Sequence, residues 1–242
     1  LEYSGWKSTD FDLFTPESHY TDDSILTIAV ADAIVNQRSY QDALWTYANR
    51  FPGADYGDMF RKWMASDDPN AYHSFGNGSA MRVSPVGWAY HRADEVLYQA
   101  KMSALPTHDH PEGIKGAQAV AYAIFLARSQ ASKTEIRDAL KERFAYDLDR
   151  PLALIRGGYQ YDVTCQGSVP ESVIAFLESD DYTSAVRLAV SLGGDIDTMA
   201  CIAGSIAEAF YGGVPDPIRA EVIKRDPEDW LDVLSDFNER YH

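Results

Sequence analysis

Three segments that are apolar or small around nearly the whole helical circumference most constrain what this chain can fold into. They are Ser24–Val35, Gly116–Arg128 and Ile196–Tyr211. A helix without a polar face is stable in water only when other elements surround it, so these segments belong in the core. Strand-like alternation is almost absent, and Tyr159–Val163 is the one short candidate. We therefore predict an all-α fold, a compact orthogonal multi-helix domain with two or three fully buried central helices.

Narrower apolar stripes predict the helices that surround this centre. They are Gln41–Phe51, Asp58–Ala65, Ala93–Leu105, Lys133–Phe144, Pro170–Glu178, Tyr182–Leu192 and Asp226–Tyr241. Pro170 is placed at a helix start, where proline is tolerated. No linker or repeat divides the chain, so residues 1–242 are predicted to form a single domain. Because the first residue is Leu1 rather than Met, we expect the native N-terminus to precede it.

Charge and cysteine content narrow the class of partner. The formal net charge is −16, from 37 acidic and 21 basic residues, and no cluster of Lys or Arg offsets it locally. Such a surface repels phosphate backbones and suits divalent cations, so nucleic acid is not expected as a partner.

No run of about 18 apolar residues predicts a membrane span. Cys165 and Cys201 form no CxxC pair, which indicates free thiols in a reducing cytoplasm; we expect a cytoplasmic monomer.

Two acidic motifs stand directly before buried helices. Thr21-Asp22-Asp23-Ser24 precedes the first, and Gly193-Gly194-Asp195-Ile196-Asp197-Thr198 precedes the last. Both could serve as helix caps, since Asp and Thr oxygens accept the unpaired N–H groups of a first turn. In the second motif the glycines permit positive φ, and residues two apart in an extended segment point to the same side. Its two aspartates can therefore converge.

A metal site is the alternative to capping. If the two helix starts meet, four carboxylates share one hollow, and they cannot all stay ionised without cations. Neither motif contains His or Cys, and oxygen-only ligation suits Mg²⁺, Ca²⁺ or Mn²⁺ rather than zinc. Two ions about 3.5–4 Å apart would be reasonable for that many oxygens.

Two further stretches could bind a ligand. Ser74 to Arg82 (SFGNGSAMR) contains a Gly-Asn-Gly turn, which is either a plain loop entering a helix or a backbone N–H cradle for phosphate. Thr107-His108-Asp109-His110-Pro111 precedes another helix. Its residues either begin that helix or bring His108 to a sugar or base.

Taken together, these four stretches resemble the ADP-ribosylglycohydrolase family. The family pattern has a TDD(T/S) motif, a GNGxAMR loop, a TH segment before a helix and a GGD(T/S/I)DT motif, in the same order as here. Members also carry an early segment that ends in a glutamate, and Leu1-Glu2-Tyr3 is similar to its last part. The G-D-x-x-G-S residues that precede that part in the family are missing from the sequence given.

The resemblance implies an all-helical fold with two divalent cations, Mg²⁺ or Mn²⁺. It implies metal ligands at Thr21, Asp22, Asp23, Asp195, Asp197 and Thr198. It implies substrate-binding residues at Ser74, Phe75, Gly76, Asn77, Gly78, Ser79, Met81 and His108. It implies catalytic roles for Glu2, Asp22 and Asp197.

The activity that the resemblance implies is hydrolysis of the glycosidic bond between ADP-ribose and an arginine or serine side chain. The expected partners are thus ADP-ribose and ADP-ribosylated proteins. Two alternatives stay open at this point. One is a non-catalytic ADP-ribose-binding or structural member of the family, since a scaffold does not guarantee turnover. The other, supported only by the number of carboxylates, is a two-metal phosphohydrolase.

Overall fold

The structure is a computed structural model that describes residues 3–4 and 7–241. These residues form fourteen helices and two short strands. The helices are α1 (Asp22–Val35), α2 (Tyr40–Arg50), α3 (Asp58–Met64), α4 (Gly78–Met81), α5 (Ser84–Ala89), α6 (Ala93–Ala104), α7 (Pro111–Arg128), α8 (Lys133–Phe144), α9 (Leu152–Gly158), α10 (Cys165–Leu177), α11 (Tyr182–Val190), α12 (Ile196–Tyr211), α13 (Asp216–Ile223) and α14 (Glu228–Tyr241). The strands are β1 (Tyr3–Ser4) and β2 (Gly194–Asp195).

The three apolar helices form the centre of the fold, as predicted. Helix α1 packs against α2 and α14, α7 against α5 and α6, and α12 against α10 and α11. Ile25 of α1, Ile124 of α7 and Ile206 of α12 are each fully buried. Helix α1 is buried on nearly every side, as predicted. Helices α7 and α12 each bury one broad face and keep a half-buried stripe, which includes Tyr122 and Ala200, on the other. The prediction of an all-α protein is confirmed.

The strand predicted at Tyr159–Val163 is wrong, since this stretch is an irregular loop between α9 and α10. Polar groups of this loop form hydrogen bonds with residues close in sequence. The Tyr159 hydroxyl donates to the Gly167 carbonyl at 2.8 Å, and Asp162 Oδ1 accepts from the Thr164 N–H at 2.8 Å. The observed strands lie elsewhere. Tyr3 pairs antiparallel with Asp195, so β1 lies beside the second acidic motif.

Helix boundaries differ from the prediction mainly where side chains form the caps. Pro170 lies inside α10 rather than at its start, because Thr164 caps the helix by accepting from the Gly167 N–H at 3.1 Å. Helix α7 begins at Pro111, where His110 Nδ1 accepts from the Glu112 N–H at 3.1 Å. The four short helices α4, α5, α9 and α13 were not predicted, since fewer than nine residues give little periodic signal.

Aromatic packing fixes the approach to α1. The ring of Tyr20 lies edge-on to Trp230 at 4.9 Å and to Phe51 at 5.9 Å. Trp230 is fully buried, so α14 holds the residues just ahead of the first acidic motif. This contact joins the C-terminal helix to the start of a central one.

Within the part of the chain that the structure describes, no helix is both long and apolar enough to cross a bilayer. Cys165 and Cys201 are free thiols, as predicted, and Cys165 is buried. The single-domain, cytoplasmic and monomeric assignments stay predictions.

Candidate functional site

A cavity of about 550 Å³ opens where α1 and α12 begin. Five of the predicted metal ligands line it: Asp22, Asp23, Asp195, Asp197 and Thr198. Five of the predicted substrate-binding residues line it as well: Ser74, Asn77, Gly78, Met81 and His108. The two acidic motifs and the Gly-Asn-Gly loop are therefore brought to one hollow.

At the start of α1, the predicted capping residues bond to each other rather than to the helix. Thr21 occupies the N-cap position, but its side chain accepts no backbone N–H. Its hydroxyl donates to Asp23 Oδ2 at 3.0 Å. Asp23 is only 6% exposed, and its second oxygen, Oδ1, is buried without a hydrogen-bond partner. A buried carboxylate oxygen left unpaired is costly, so this atom marks a place for a cation or a donor.

At the start of α12, two glycines turn the chain so that the second motif faces the cavity. Gly193 and Gly194 have φ of 70° and 87°, in the left-handed region. A Cβ on Gly194 would lie 2.8 Å from Tyr159 Cε1, so the close approach also requires glycine there. The Asp195 side chain does not cap α12. Instead its Oδ2 accepts from Asn77 Nδ2 at 2.6 Å.

The carboxylates interact electrostatically. Burial raises the pKa of Asp23 well above its usual range, and the charges of Asp197, Asp22 and Asp195 raise it further. Burial also raises the pKa of Asp197, although the Thr198 N–H, which donates to its Oδ1 at 2.9 Å, opposes this. The other three charges thus all disfavour the ionised state of Asp23. Positive charge placed between them would stabilise the ionised state of all four.

The donor set fits hard divalent cations. The four carboxylates and the Thr198 hydroxyl at this end of the cavity offer oxygen, which Mg²⁺ and Mn²⁺ prefer. In residues 3–4 and 7–241, no three Asp, Glu, His or Cys side chains already form a close ligating cluster. The carboxylates therefore surround the hollow without closing on a common point.

The Gly-Asn-Gly loop lines the cavity beside the second acidic motif. The Asn77 N–H donates to the Val163 carbonyl at 2.8 Å, and the Gly76 N–H donates to Ser74 Oγ at 3.1 Å. A Cβ on Gly76 or Gly78 would lie 3.6 or 3.5 Å from His108 Nε2. The loop thus lies directly against the histidine.

Three predicted substrate-binding residues do not line the cavity. Gly76 forms a backbone bridge with Thr164. Phe75 is 45% exposed and its ring packs on His110 at 5.2 Å. The Ser79 hydroxyl is buried and donates to the Gly113 carbonyl at 2.7 Å, which ties α4 to α7. Their ligand contacts stay predictions. Glu2 lies outside the described residues.

A buried arginine supports the histidine from behind. Arg82 is fully buried, and its Nη2 donates to the Ser103 carbonyl at 3.2 Å and to Thr107 Oγ1 at 2.8 Å. The Thr107 oxygen in turn lies 2.7 Å from His108 Nδ1. Burial lowers the pKa of His108 well below its usual range, and the charge of Arg82 lowers it further. The imidazole is therefore neutral at pH 7.

The remaining lining residues were missed by sequence reasoning. They are Leu26, Asp55, Tyr56, Gly57, Asp58, Met59, Phe60, Tyr72, Arg82, Tyr161 and Val163. Most lie in the loop before α3, in the first turn of α3 and in the segment before α10, which carry no pattern that distinguishes a site. Of these residues, only Arg82 could have been identified from the sequence, because it is the last residue of the Ser74–Arg82 stretch.

This fold and cavity define a class: an all-helical protein with two acidic helix starts that face a glycine loop and a histidine. The chain belongs to the ADP-ribosylglycohydrolase family, whose sequence pattern matches residues 2–241. The family resemblance found in the motifs is thereby confirmed over nearly the whole chain.

Known proteins from several organisms are similar to this chain. ADP-ribosylhydrolase ARH3 of Mus musculus is 26% identical over 93% of this chain and 75% of its own length. The Homo sapiens protein of the same name is 28% identical over 82% of this chain and 72% of its own length. ADP-ribosylarginine hydrolase Tri1 of Pseudomonas putida is 26% identical over 81% of this chain and 60% of its own length.

A solved structure shares the fold. It is described as an ADP-ribosylglycohydrolase-related protein complex, and it superposes with a TM-score of 0.70. The match covers 91% of this chain and 81% of the other at 23% identity. At that identity the likeness supports the all-helical architecture alone.

Proposed function

We propose that this protein is a divalent-cation-dependent hydrolase that cleaves the glycosidic bond between ADP-ribose and an acceptor side chain. Its reaction would reverse protein ADP-ribosylation, with arginine or serine as the acceptor. Family membership supports the reaction class, and the relatives named as ADP-ribosylhydrolases support it further. Its partners would be ADP-ribose and ADP-ribosylated proteins.

One observation carries the proposal: both acidic helix starts face the same cavity as the Gly-Asn-Gly loop. Asp23 keeps a buried, unpartnered oxygen there, and neither Thr21 nor Asp195 caps its helix. A fold that needed only capped helices would pair these oxygens with backbone N–H groups. Here Asp23 Oδ1 is left unpaired and Asp195 Oδ2 accepts from Asn77 instead, which supports a ligand-binding role for this end of the cavity.

Two divalent cations would be held by the two acidic motifs. The proposed ligands are Thr21, Asp22, Asp23, Asp195, Asp197 and Thr198. Bound there, such cations supply Lewis acidity and a fixed grip on sugar hydroxyls. ADP-ribosylhydrolases of this family use divalent metal ions, which supports the assignment. We propose Mg²⁺ or Mn²⁺, because both prefer oxygen ligands.

The chain's own residues would bind and orient the substrate. Asn77, Gly78 and His108 line the same cavity as the carboxylates, and they would contact the diphosphate and ribose of the substrate. Positive charge would develop on the sugar ring as the glycosidic bond breaks, and the carboxylates would stabilise it electrostatically. Asp22 and Asp197 are the proposed catalytic pair, and Glu2 is proposed for acid–base or gating work.

The test is release of free ADP-ribose from arginine-linked and serine-linked substrates. Asp197→Asn should abolish release, and EDTA should do the same for the unaltered protein. Asp138→Asn, which changes an exposed carboxylate on α8, is the matched control and should leave release unchanged. Full activity of Asp197→Asn, or of the unaltered protein in EDTA, would contradict the mechanism.

The product and the acceptor are read from the same assay. Intact ADP-ribose supports the glycosidase, whereas AMP or phosphate would indicate a phosphohydrolase. Calorimetric binding of ADP-ribose without release from either substrate would indicate a non-catalytic family member. The ratio of the two rates identifies the preferred acceptor.

A further inference from the structure

Tyr56 carries an unpartnered hydroxyl beside the cavity. It lies in the loop between α2 and α3, and the residue is only 3% exposed. Its hydroxyl is buried, and it has no hydrogen-bond partner among the described residues. The residue lines the cavity together with Asp22 and Asp23. No motif in the sequence pointed to it.

The tyrosine ring is held in place by its own loop and by α3. It stacks on Phe60 with ring centroids 5.1 Å apart and an interplanar angle of 25°. The Arg61 guanidinium lies 5.9 Å from the centre of the Tyr56 ring, and its Nε donates to the Tyr56 carbonyl at 2.8 Å. Because these contacts fix both the ring and the backbone, the direction of the hydroxyl is set by packing.

The hydroxyl is available as a donor. Burial raises the pKa of Tyr56, and the charge of Asp22 raises it further, so the phenol keeps its hydrogen. A buried hydroxyl without a partner is unfavourable, and in native proteins such a group usually meets a ligand or water. The neighbouring carboxylates do not accept this hydrogen, since the Tyr56 oxygen has no hydrogen bond to them.

We propose that the Tyr56 hydroxyl donates a hydrogen bond to a hydroxyl oxygen of the terminal ribose of ADP-ribose, and so positions this sugar against Asp22. The inference rests on the proposed function. A sugar hydroxyl can donate its own hydrogen to a carboxylate and still accept one from tyrosine on its oxygen. A phosphate oxygen could also accept, and ADP, which carries the diphosphate without the terminal ribose, separates the two cases.

The test is Tyr56→Phe, which removes the hydroxyl and keeps the stacked ring. Calorimetry with ADP-ribose in Mg²⁺ should show binding roughly threefold to tenfold weaker than that of the unaltered protein, as expected for loss of one neutral hydrogen bond. Thermal unfolding should occur at the same or a slightly higher temperature, because the removed group has no partner in the protein.

Tyr146→Phe is the matched control. Tyr146 is 6% exposed, its hydroxyl also has no partner among the described residues, and it does not line this cavity. Its replacement should leave ADP-ribose affinity unchanged. A second ligand, ADP, lacks the terminal ribose, so Tyr56→Phe should bind ADP as the unaltered protein does.

The outcomes separate this inference from the proposed function. If the unaltered protein fails to bind ADP-ribose, the proposed function is wrong and the inference falls with it. If the unaltered protein binds and Tyr56→Phe binds equally well, only the role of Tyr56 is overturned. Equal weakening for ADP-ribose and ADP, or a lower unfolding temperature with unchanged affinity, would likewise overturn the assignment to the terminal ribose.

Discussion

The Asn77 side-chain amide donates to Asp195 Oδ2 over 2.6 Å, across 118 residues of sequence. This hydrogen bond joins the Gly-Asn-Gly loop to the second acidic motif. Both residues are buried, at 6% and 7% exposed. One wall of the cavity is therefore fixed relative to the other by the side chains that are proposed to bind ligand and metal.

Replacing Asn77 by Ala should destabilise the fold even in the absence of metal. The buried Asp195 carboxylate would lose its donor, and hydrogen bonds to charged groups contribute about 1.5–3 kcal/mol. Urea denaturation in EDTA should show the free energy of unfolding reduced by about that amount. Asn70→Ala is the control, since Asn70 is exposed and its side chain donates to the nearby Asp68 carbonyl. Equal stability of the two variants would contradict this role for Asn77.

Replacing Gly194 by Ala should strain the turn that presents Asp195. The backbone has φ of 87°, which costs a residue with a Cβ about 1–2 kcal/mol, and the new methyl would meet Tyr159 at 2.8 Å. Thermal unfolding should therefore begin at a lower temperature. Gly157→Ala, on the exposed side of α9 with no atom within 4 Å, should leave stability unchanged or raise it. Equal melting temperatures of Gly194→Ala and the unaltered protein would contradict the predicted strain, because the loop would then accommodate the methyl group without cost.

The hydrogen-bond chain from Arg82 through Thr107 predicts which nitrogen of His108 carries the hydrogen. A hydroxyl that accepts from a guanidinium becomes a stronger donor, and imidazole is a better acceptor than the nearby Tyr72 phenol. We expect Thr107 to donate to Nδ1, which leaves the hydrogen on Nε2. Nitrogen NMR of labelled protein should show a pyridine-type Nδ1 and a pyrrole-type Nε2. The reverse assignment would contradict the prediction.

Variants of Thr107 test the same chain by stability. Thr107→Val removes the acceptor of Arg82 and the partner of His108, so the free energy of unfolding should fall by about 1–3 kcal/mol. Thr107→Ser keeps the hydroxyl and should retain the His108 nitrogen signals. If the serine variant changed those signals as much as valine does, the methyl group would matter rather than the hydroxyl.

Asp226 should make stability depend on pH. Burial raises its pKa to about 6 in the folded protein, against about 3.9 in an unfolded chain. Its contribution to stability is therefore fully present below pH 4 and is lost as the pH rises through 6. Because the side chain is only partly buried, solvent screening limits the effect to about 1 kcal/mol. Asp226→Asn should remove this dependence in urea titrations, whereas Asp232→Asn, at an exposed position of α14, should keep it.

Periodicity was enough to predict the centre of the fold. An apolar circumference at Ser24–Val35, Gly116–Arg128 and Ile196–Tyr211 leaves no stable arrangement except burial, so three core helices follow from residue types alone. Short helices such as α4 and α9 follow from tertiary contacts instead. The same holds for the loop at Tyr159–Val163, whose aromatic and β-branched residues suit a strand but have no strand beside them.

The candidate site likewise contains some residues that could be identified from the sequence and others that could not. The acidic motifs, the Gly-Asn-Gly loop and His108 could be found from the sequence, because their residue types and order are distinctive in themselves. Tyr56 and Arg82 could not be assigned roles, since a tyrosine or arginine acquires one only from what lies beside it. Residue chemistry alone determined which groups could bind a cation or a sugar. The tertiary structure decided which of them share a cavity, because burial and distance, not sequence spacing, fix whether two groups interact.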